Sequence, residues 1–186
     1  GKKGITLNLK APRGIKICLD LVQQSDIVVS NLRPGTMDEL GLDYQSLTEH
    51  HPSLVYAACS GFDQTGPYAT RGAYDMIIQG MGGILSITGE PNRPPVRVGT
   101  SIGDITAALF TAIGIFSALR YRDQTGEGQL VDVGMLDCQV AILENALMRY
   151  FSTNEIPQPL GRRHSSITPR SEEHTSELQS RAYRVC

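Results

Sequence analysis

The chain has 186 residues, with 17 Lys plus Arg against 19 Asp plus Glu and a formal net charge of −2. That balance argues against a nucleic-acid-binding protein, which would carry a basic surplus, and 40% apolar with 19% charged residues is the make-up of a globular domain. No run of about 18 uninterrupted apolar residues occurs, and the nearest approach, residues 102–119, contains Asp104 and two threonines, so no membrane span is expected.

In chain order, Gly4 to Leu9 alternates and is β-branched at Ile5 and Thr6, which predicts a strand. Pro12 suits the first turn of a helix, and Gly14 to Gln24 places Ile15, Cys18, Leu19 and Leu21-Val22 on one helical face. Asp26 to Ser30 is a short apolar run, the pattern of a strand covered on both faces. Asn31 to Gly35 is a loop by its Pro-Gly pair, Tyr44 to His50 a short amphipathic helix, and Leu54 to Ser60 a further strand. A glycine-rich loop runs from Gly61 to Gly72, followed by a helix over Tyr74 to Gly82. The prolines of Gly89 to Gly99 exclude regular helix there. Asp104 then opens the strongest helix, with Ile105, Leu109, Ala112, Ile113, Phe116 and Leu119 at three- and four-residue steps. Its remaining faces are rich in Ala and Gly, so burial on several sides is expected. Gln129 to Val133 reads as a strand and Leu136 to Phe151 as one amphipathic helix. Strands alternating with helices imply an α/β fold, a Rossmann-like parallel sheet with helical crossovers.

Four cysteines, at 18, 59, 138 and 186, lack metal-ligand spacing and read as thiols of a reducing, cytoplasmic compartment. Among groups able to carry chemistry, Asp104 follows Gly103 at a helix start. Such a carboxylate caps the helix, and the same position stabilises it as an anion, which a nucleophilic carboxylate must be. The two roles are compatible. Tyr74 and Asp75 follow the glycine-rich loop. Lys10, Arg71 and Arg97 are isolated basic residues near strand ends and loops, and Asn31 directly follows a strand's carboxyl end, where ligands bind in open parallel sheets. No phosphate-loop motif is present.

Taken together, GITLNLKAPRG (4–14), SDIVVSNLRPGTMDELGLDY (25–44), HPSLVYAACSGFDQTGPYATRGAYD (51–75), TGEPNRPPVRVGTSIGD (88–104), TGEGQLVDVGMLD (125–137) and GRRHSSITP (161–169) resemble the class III CoA-transferases. The resemblance implies that Asp104 is the nucleophile that attacks an acyl-CoA thioester, passing through an aspartyl anhydride and an aspartyl-CoA thioester. It makes Tyr74 and Asp75 an active-site pair beside Asp104, and sets Leu7, Lys10, Asn31 and Leu32 along the CoA cleft. Glu39 stands where some members carry a CoA-binding arginine and is left out. A lysine contact of some members falls at Gly72, for which the neighbouring Arg71 would substitute. The implied partners are an acyl-CoA and a small carboxylic acid, with coenzyme A as substrate, no permanently bound cofactor, no metal, and an interlaced homodimer. The related α-methylacyl-CoA racemases place a histidine where this chain has Tyr74. A phenol with a pKa near 10 is a poor base at neutral pH, which favours transfer over racemisation. A non-catalytic CoA-binding module is the reading from another class.

Residues 170–179 and Ser180 spell RSEEHTSELQS, which is the translation of a common sequencing-adapter DNA in one frame. Residues 170–186 are therefore expected to be non-native, and residues 1–169 the central part of the large CoA-transferase domain, with the missing initiator Met pointing to an incomplete start. That tail holds three Arg and three Glu, so the net charge is the same without it. On this reading the chain alone is inactive and marginally soluble, because absent strands leave apolar surface open.

Overall fold

Proline has no amide hydrogen to lose at a helix start, and Pro12 accordingly opens α1 (Pro12–Val22) at its first turn. This is a computed structural model, and it describes residues 1–165; the adapter-like tail lies outside them. The elements that follow are β1 (Ile27–Ser30), α2 (Thr36–Glu39), α3 (Tyr44–Thr48), β2 (Val55–Ser60), α4 (Asp75–Met81), α5 (Ile84–Ile87), α6 (Ile102–Thr125), β3 (Leu130–Gly134), α7 (Met135–Ala141) and α8 (Glu144–Thr153). The three strands form one sheet in the order β1-β2-β3, both pairings parallel, with Val28 beside Tyr56 and Ala58 beside Asp132. This is the expected α/β architecture, because parallel neighbours can be joined only by crossovers.

Side chains alternate across β2, so each sheet face receives its own core. Tyr56 and Ala58 pack with Val22, Leu42, Leu47 and Leu54 under α1 and α3. Cys59, Val131 and Val133 pack with Phe62, Ile78, Ala107, Met135 and Cys138 under α4, α6 and α7. The α3 helix is capped by Asp43, whose carboxylate accepts from the Ser46 amide (3.0 Å) and hydroxyl (2.6 Å). These two donors pull the Asp43 carboxyl below its ordinary range.

Four expectations are corrected. Gly4 to Leu9 has strand chemistry but no strand partner among the described residues, and is an irregular segment, exposed except at the half-buried Leu7 and Leu9. In β1 only Ser30 is buried and Val29 is 60% exposed, so this is an edge strand uncovered on one face. Leu136 to Phe151 is two helices, α7 and α8, broken at Ile142–Leu143 with Glu144 at φ +24°.

The fourth correction concerns α6. Its buried face consists of Gly103, Thr106, Ala107, Thr111 and Ala118. A Cβ at Gly114 would strike the Val131 side chain, so small residues are what let this helix lie close on the sheet. The large apolar stripe of Ile105, Leu109, Ile113 and Phe116 faces outward, with Phe116 71% exposed. Periodicity finds the apolar stripe, but helix–sheet distance decides which stripe is the contact. By length and composition α6 could cross a bilayer. Its packing on β2 and β3 is that of a domain helix, and Arg122 ties its last turn to Asp26 at the start of β1 (3.1 Å).

Candidate active site

Because α6 returns antiparallel to the strands it covers, its first turn lies at the carboxyl edge of the sheet. Three loops converge there, after Ser30, after Ser60 and before Ile102. Asp104 is exposed on this turn. It is not the N-cap: Ser101 holds that position, and no side chain there makes a capping bond. The cap comes from another helix. Asp75, the first residue of α4, accepts the Gly103 amide on Oδ1 at 2.9 Å.

Asp75 thus occupies the helix-end donor that the sequence reading offered to Asp104. The Asp104 carboxyl is accordingly shifted up, first by desolvation and then by the negative charge of Asp75. A more basic carboxylate is a stronger nucleophile once ionised. Tyr74, the N-cap of α4, makes no capping bond and is 81% exposed beside this pair. The structure therefore brings Tyr74, Asp75 and Asp104 to one edge.

Asn31 joins the same edge from β1. Its amide donates to the Cys59 carbonyl at 2.8 Å. The Cys59 thiol is pushed up by burial, with the charge of Asp104 adding to the shift. A thiol kept protonated does not compete as a nucleophile. Leu32 is half exposed and lines an open cleft of about 250 Å³ with Arg33, Tyr44, Tyr56 and Ala58, on the opposite sheet face from Cys59. Leu7 and Lys10 sit on the segment leading into α1, where Asn8 Oδ1 accepts the Lys10 amide (3.0 Å) and Leu9 packs on the core. Lys10 is exposed.

Arg71 lies over the Tyr68 ring, 4.3 Å from its centroid, a cation–π contact. The guanidinium beside Gly72 belongs instead to Arg33, about 3 Å from where a Cβ would stand. Arg33 is a cation the sequence reading passed over, although it follows Asn31 and Leu32 directly. Gln79 was also missed. It is fully buried on α4, one turn after Asp75, the helical spacing that could have revealed it.

A second carboxylate group borders this edge. Asp63, at φ +63°, has its carboxyl pushed up to about 6 by burial and by the charge and hydrogen bond of Asp137, with Asp132 adding. Its native form binds a proton more tightly than the unfolded chain. Stability from this site is therefore full below about 4 and is lost as pH rises through about 6. Asp63→Asn keeps the left-handed conformation accessible and removes the charge. It should stabilise the protein by on the order of 1 kcal/mol above pH 6, discounted for partial exposure, and flatten the pH 4–6 slope of urea midpoints.

A model of CoA-transferase family III matches residues 1–176. An acetyl-CoA:oxalate CoA-transferase of Acetobacter aceti is 45% identical over 170 residues, 91% of this chain and 44% of that protein. A succinate–glutarate CoA-transferase of Agrobacterium fabrum is 40% identical over 169 residues, 91% of this chain and 42% of that protein. A crystal structure of a CAIB/BAIF family protein from Brucella suis superposes with a TM-score of 0.87 at 41% identity, covering 91% of this chain and 45% of that one. The chain spans less than half the length of these relatives. With the parallel sheet and the family match over nearly all of its length, the chain belongs to CoA-transferase family III.

Proposed function

We propose that this chain supplies the nucleophile-bearing part of an acyl-CoA:carboxylate CoA-transferase. The observation that carries the proposal is the exposed Asp104 carboxyl on the first turn of α6, beside the anchored Asp75, in a chain of this family. In the cycle, an Asp104 oxygen attacks the thioester carbonyl, the C–S bond breaks, and CoA thiolate leaves a mixed anhydride. The thiolate then attacks the aspartyl carbonyl, releasing the donor carboxylate and leaving an aspartyl-CoA thioester. An acceptor carboxylate attacks that carbonyl and expels the thiolate. The thiolate finally takes the new acyl group and frees Asp104. Every bond broken is replaced by one of similar energy, so thioester energy is kept provided that water is excluded.

Tyr74 stands beside the nucleophile as a phenolic hydrogen-bond donor to the reacting oxygens. Lys10 and Arg33 are the cations for the phosphates of CoA, and Asn31, Leu32 and Leu7 line its path. Coenzyme A enters as substrate and not as a resident cofactor. The working form is a cytoplasmic homodimer, free of membrane and nucleic acid, in which the remaining length of the protein completes the site. The test uses a full-length protein carrying these residues, with an acyl-CoA donor and a 14C-labelled carboxylate. Label appearing in the CoA ester supports transfer. Solvent deuterium entering the α-carbon without an acceptor would mean racemisation, and tight CoA-ester binding with neither reaction would mean a binding module.

A further inference from the structure

Gln79 is the one fully buried side chain on α4 with every polar atom engaged, and none of its bonds is needed by the helix itself. Its Nε2 donates to Asp75 Oδ2 at 2.7 Å and to the Thr100 carbonyl at 3.3 Å, and its Oε1 accepts the Val98 amide at 2.9 Å. Asp75 Oδ1 in turn accepts the Gly103 amide at 2.9 Å. Gly103 itself is wedged against Ile78 and Asp75, where a Cβ would sit 3.1–3.2 Å from their side chains. The loop that enters α6 and the first turn that bears Asp104 are therefore both stitched to α4 through one amide.

We propose that Gln79 is a positioning residue: oriented by the Val98 amide, it locks the Asp75 carboxylate onto the first turn of α6 and so fixes both the placement of Asp104 and the negative charge beside it. This deepens the transferase reading and rests on it for the chemical role of Asp104. The geometry makes a strict demand. Because the Val98 N–H requires an acceptor, Gln79 must present its NH2 to position 75, and position 75 must accept there and again at Gly103. Asp meets both demands. An asparagine side chain would turn an NH2 toward an NH2. If Gln79 flipped to relieve that, its NH2 would meet the Val98 N–H instead.

The same logic predicts a rescue. Gln79→Glu puts an acceptor against the Asp75 acceptor and fails. In the double variant Asp75→Asn/Gln79→Glu, the carboxylate now at position 79 accepts from the NH2 at position 75 and from the Val98 N–H. The amide oxygen at position 75 still accepts from Gly103. Three of the four hydrogen bonds return, the long one to the Thr100 carbonyl (3.3 Å) being lost because a carboxylate cannot donate, and the charge now sits one helical turn along α4, in place of its position against Gly103. The titratable groups facing Asp104 are Asp75 and its neighbour Tyr74 from the start of α4, and Cys59 from β2, which stays a thiol. Only the first changes.

The test compares wild type, both single variants and the double variant in the full-length protein, by hydrogen exchange of the Gly103 amide, melting temperature and the pH profile of kcat/KM. We expect each single variant to lose at least about tenfold in Gly103 protection and about a hundredfold in kcat. The double variant should regain both to within about tenfold, with its acid limb moved to lower pH. Rescue of melting temperature with an unmoved pH profile would reduce Gln79 to a structural strut and overturn the proposal. So would a Gln79→Glu variant with wild-type protection, or a double variant no better than the worse single. If none of the proteins transfers CoA but Gly103 protection is lost and rescued as stated, the positioning stands and the transferase reading falls.

Discussion

Asp104→Ala is expected to lower acyl-CoA exchange by about four orders of magnitude or more, since no other group near it can form the covalent intermediate. Cys59 is held as a thiol and Asp75 is committed to Gly103 and Gln79. Asp104→Asn should be equally inactive, because an amide of the same shape has no free carboxylate. Hydroxylamine added during turnover should mark wild-type Asp104 as a hydroxamate, found by peptide mass, and mark neither variant. Asp104 is exposed and is not the cap of α6, so both variants should stay within about 0.5 kcal/mol of wild-type stability. Undiminished exchange in the alanine variant would refute the assignment.

The largest stability effect is expected at a glycine with an ordinary backbone. Gly128 stands just before β3, donating its amide to the Pro52 carbonyl at 2.9 Å. A Cβ there would lie inside the Leu54 carbonyl group, and Leu54 is fully buried immediately before β2. Backbone cannot swing aside as a long side chain can, so Gly128→Ala must push β3 away from β2. The cost should reach the top of the overpacking range, about 3 kcal/mol. It should appear as a lower urea midpoint at unchanged slope. Gly99→Ala, where a Cβ meets nothing within 4 Å, is the matched control and should change little.

Much of this architecture was legible because its signals are local. Pro12, the run at 26–30, the run at 54–60 and the prolines of 89–99 each mark a boundary by backbone chemistry, and alternation of strands and helices then leaves parallel pairing. The misreadings share a different cause. Gly4 to Leu9 carries the pattern of a strand, but a strand exists only against a partner, which no pattern within the segment records. The outward stripe of α6 has the same period as a core stripe, and only the close approach demanded at Gly114 shows which side meets the sheet. At the site, Asp104, Tyr74 and Asp75 stand out by their places at a helix start and after a glycine-rich loop, their roles come from resemblance, and the structure brings them together. Gln79 was invisible because a glutamine in a helix looks like solvent-facing filler until its burial is known. Arg33 was missed for a related reason: its side chain reaches a loop some forty residues further along the chain, about where Gly72 lies.

The order β1-β2-β3 also sets a schedule for birth on the ribosome. β2 is the central strand, yet its second neighbour follows only after a crossover of about 70 residues that carries α4, α5 and α6, which at 5–20 residues per second takes roughly 4–14 s to synthesise. Throughout that interval Val55, Tyr56 and Ala57 lie in a strand with one hydrogen-bonding edge open, the kind of edge that recruits other chains. The nascent protein is thus open to misassembly in mid-translation, and a chaperone or a translational pause acting before Gly134 emerges should raise its yield.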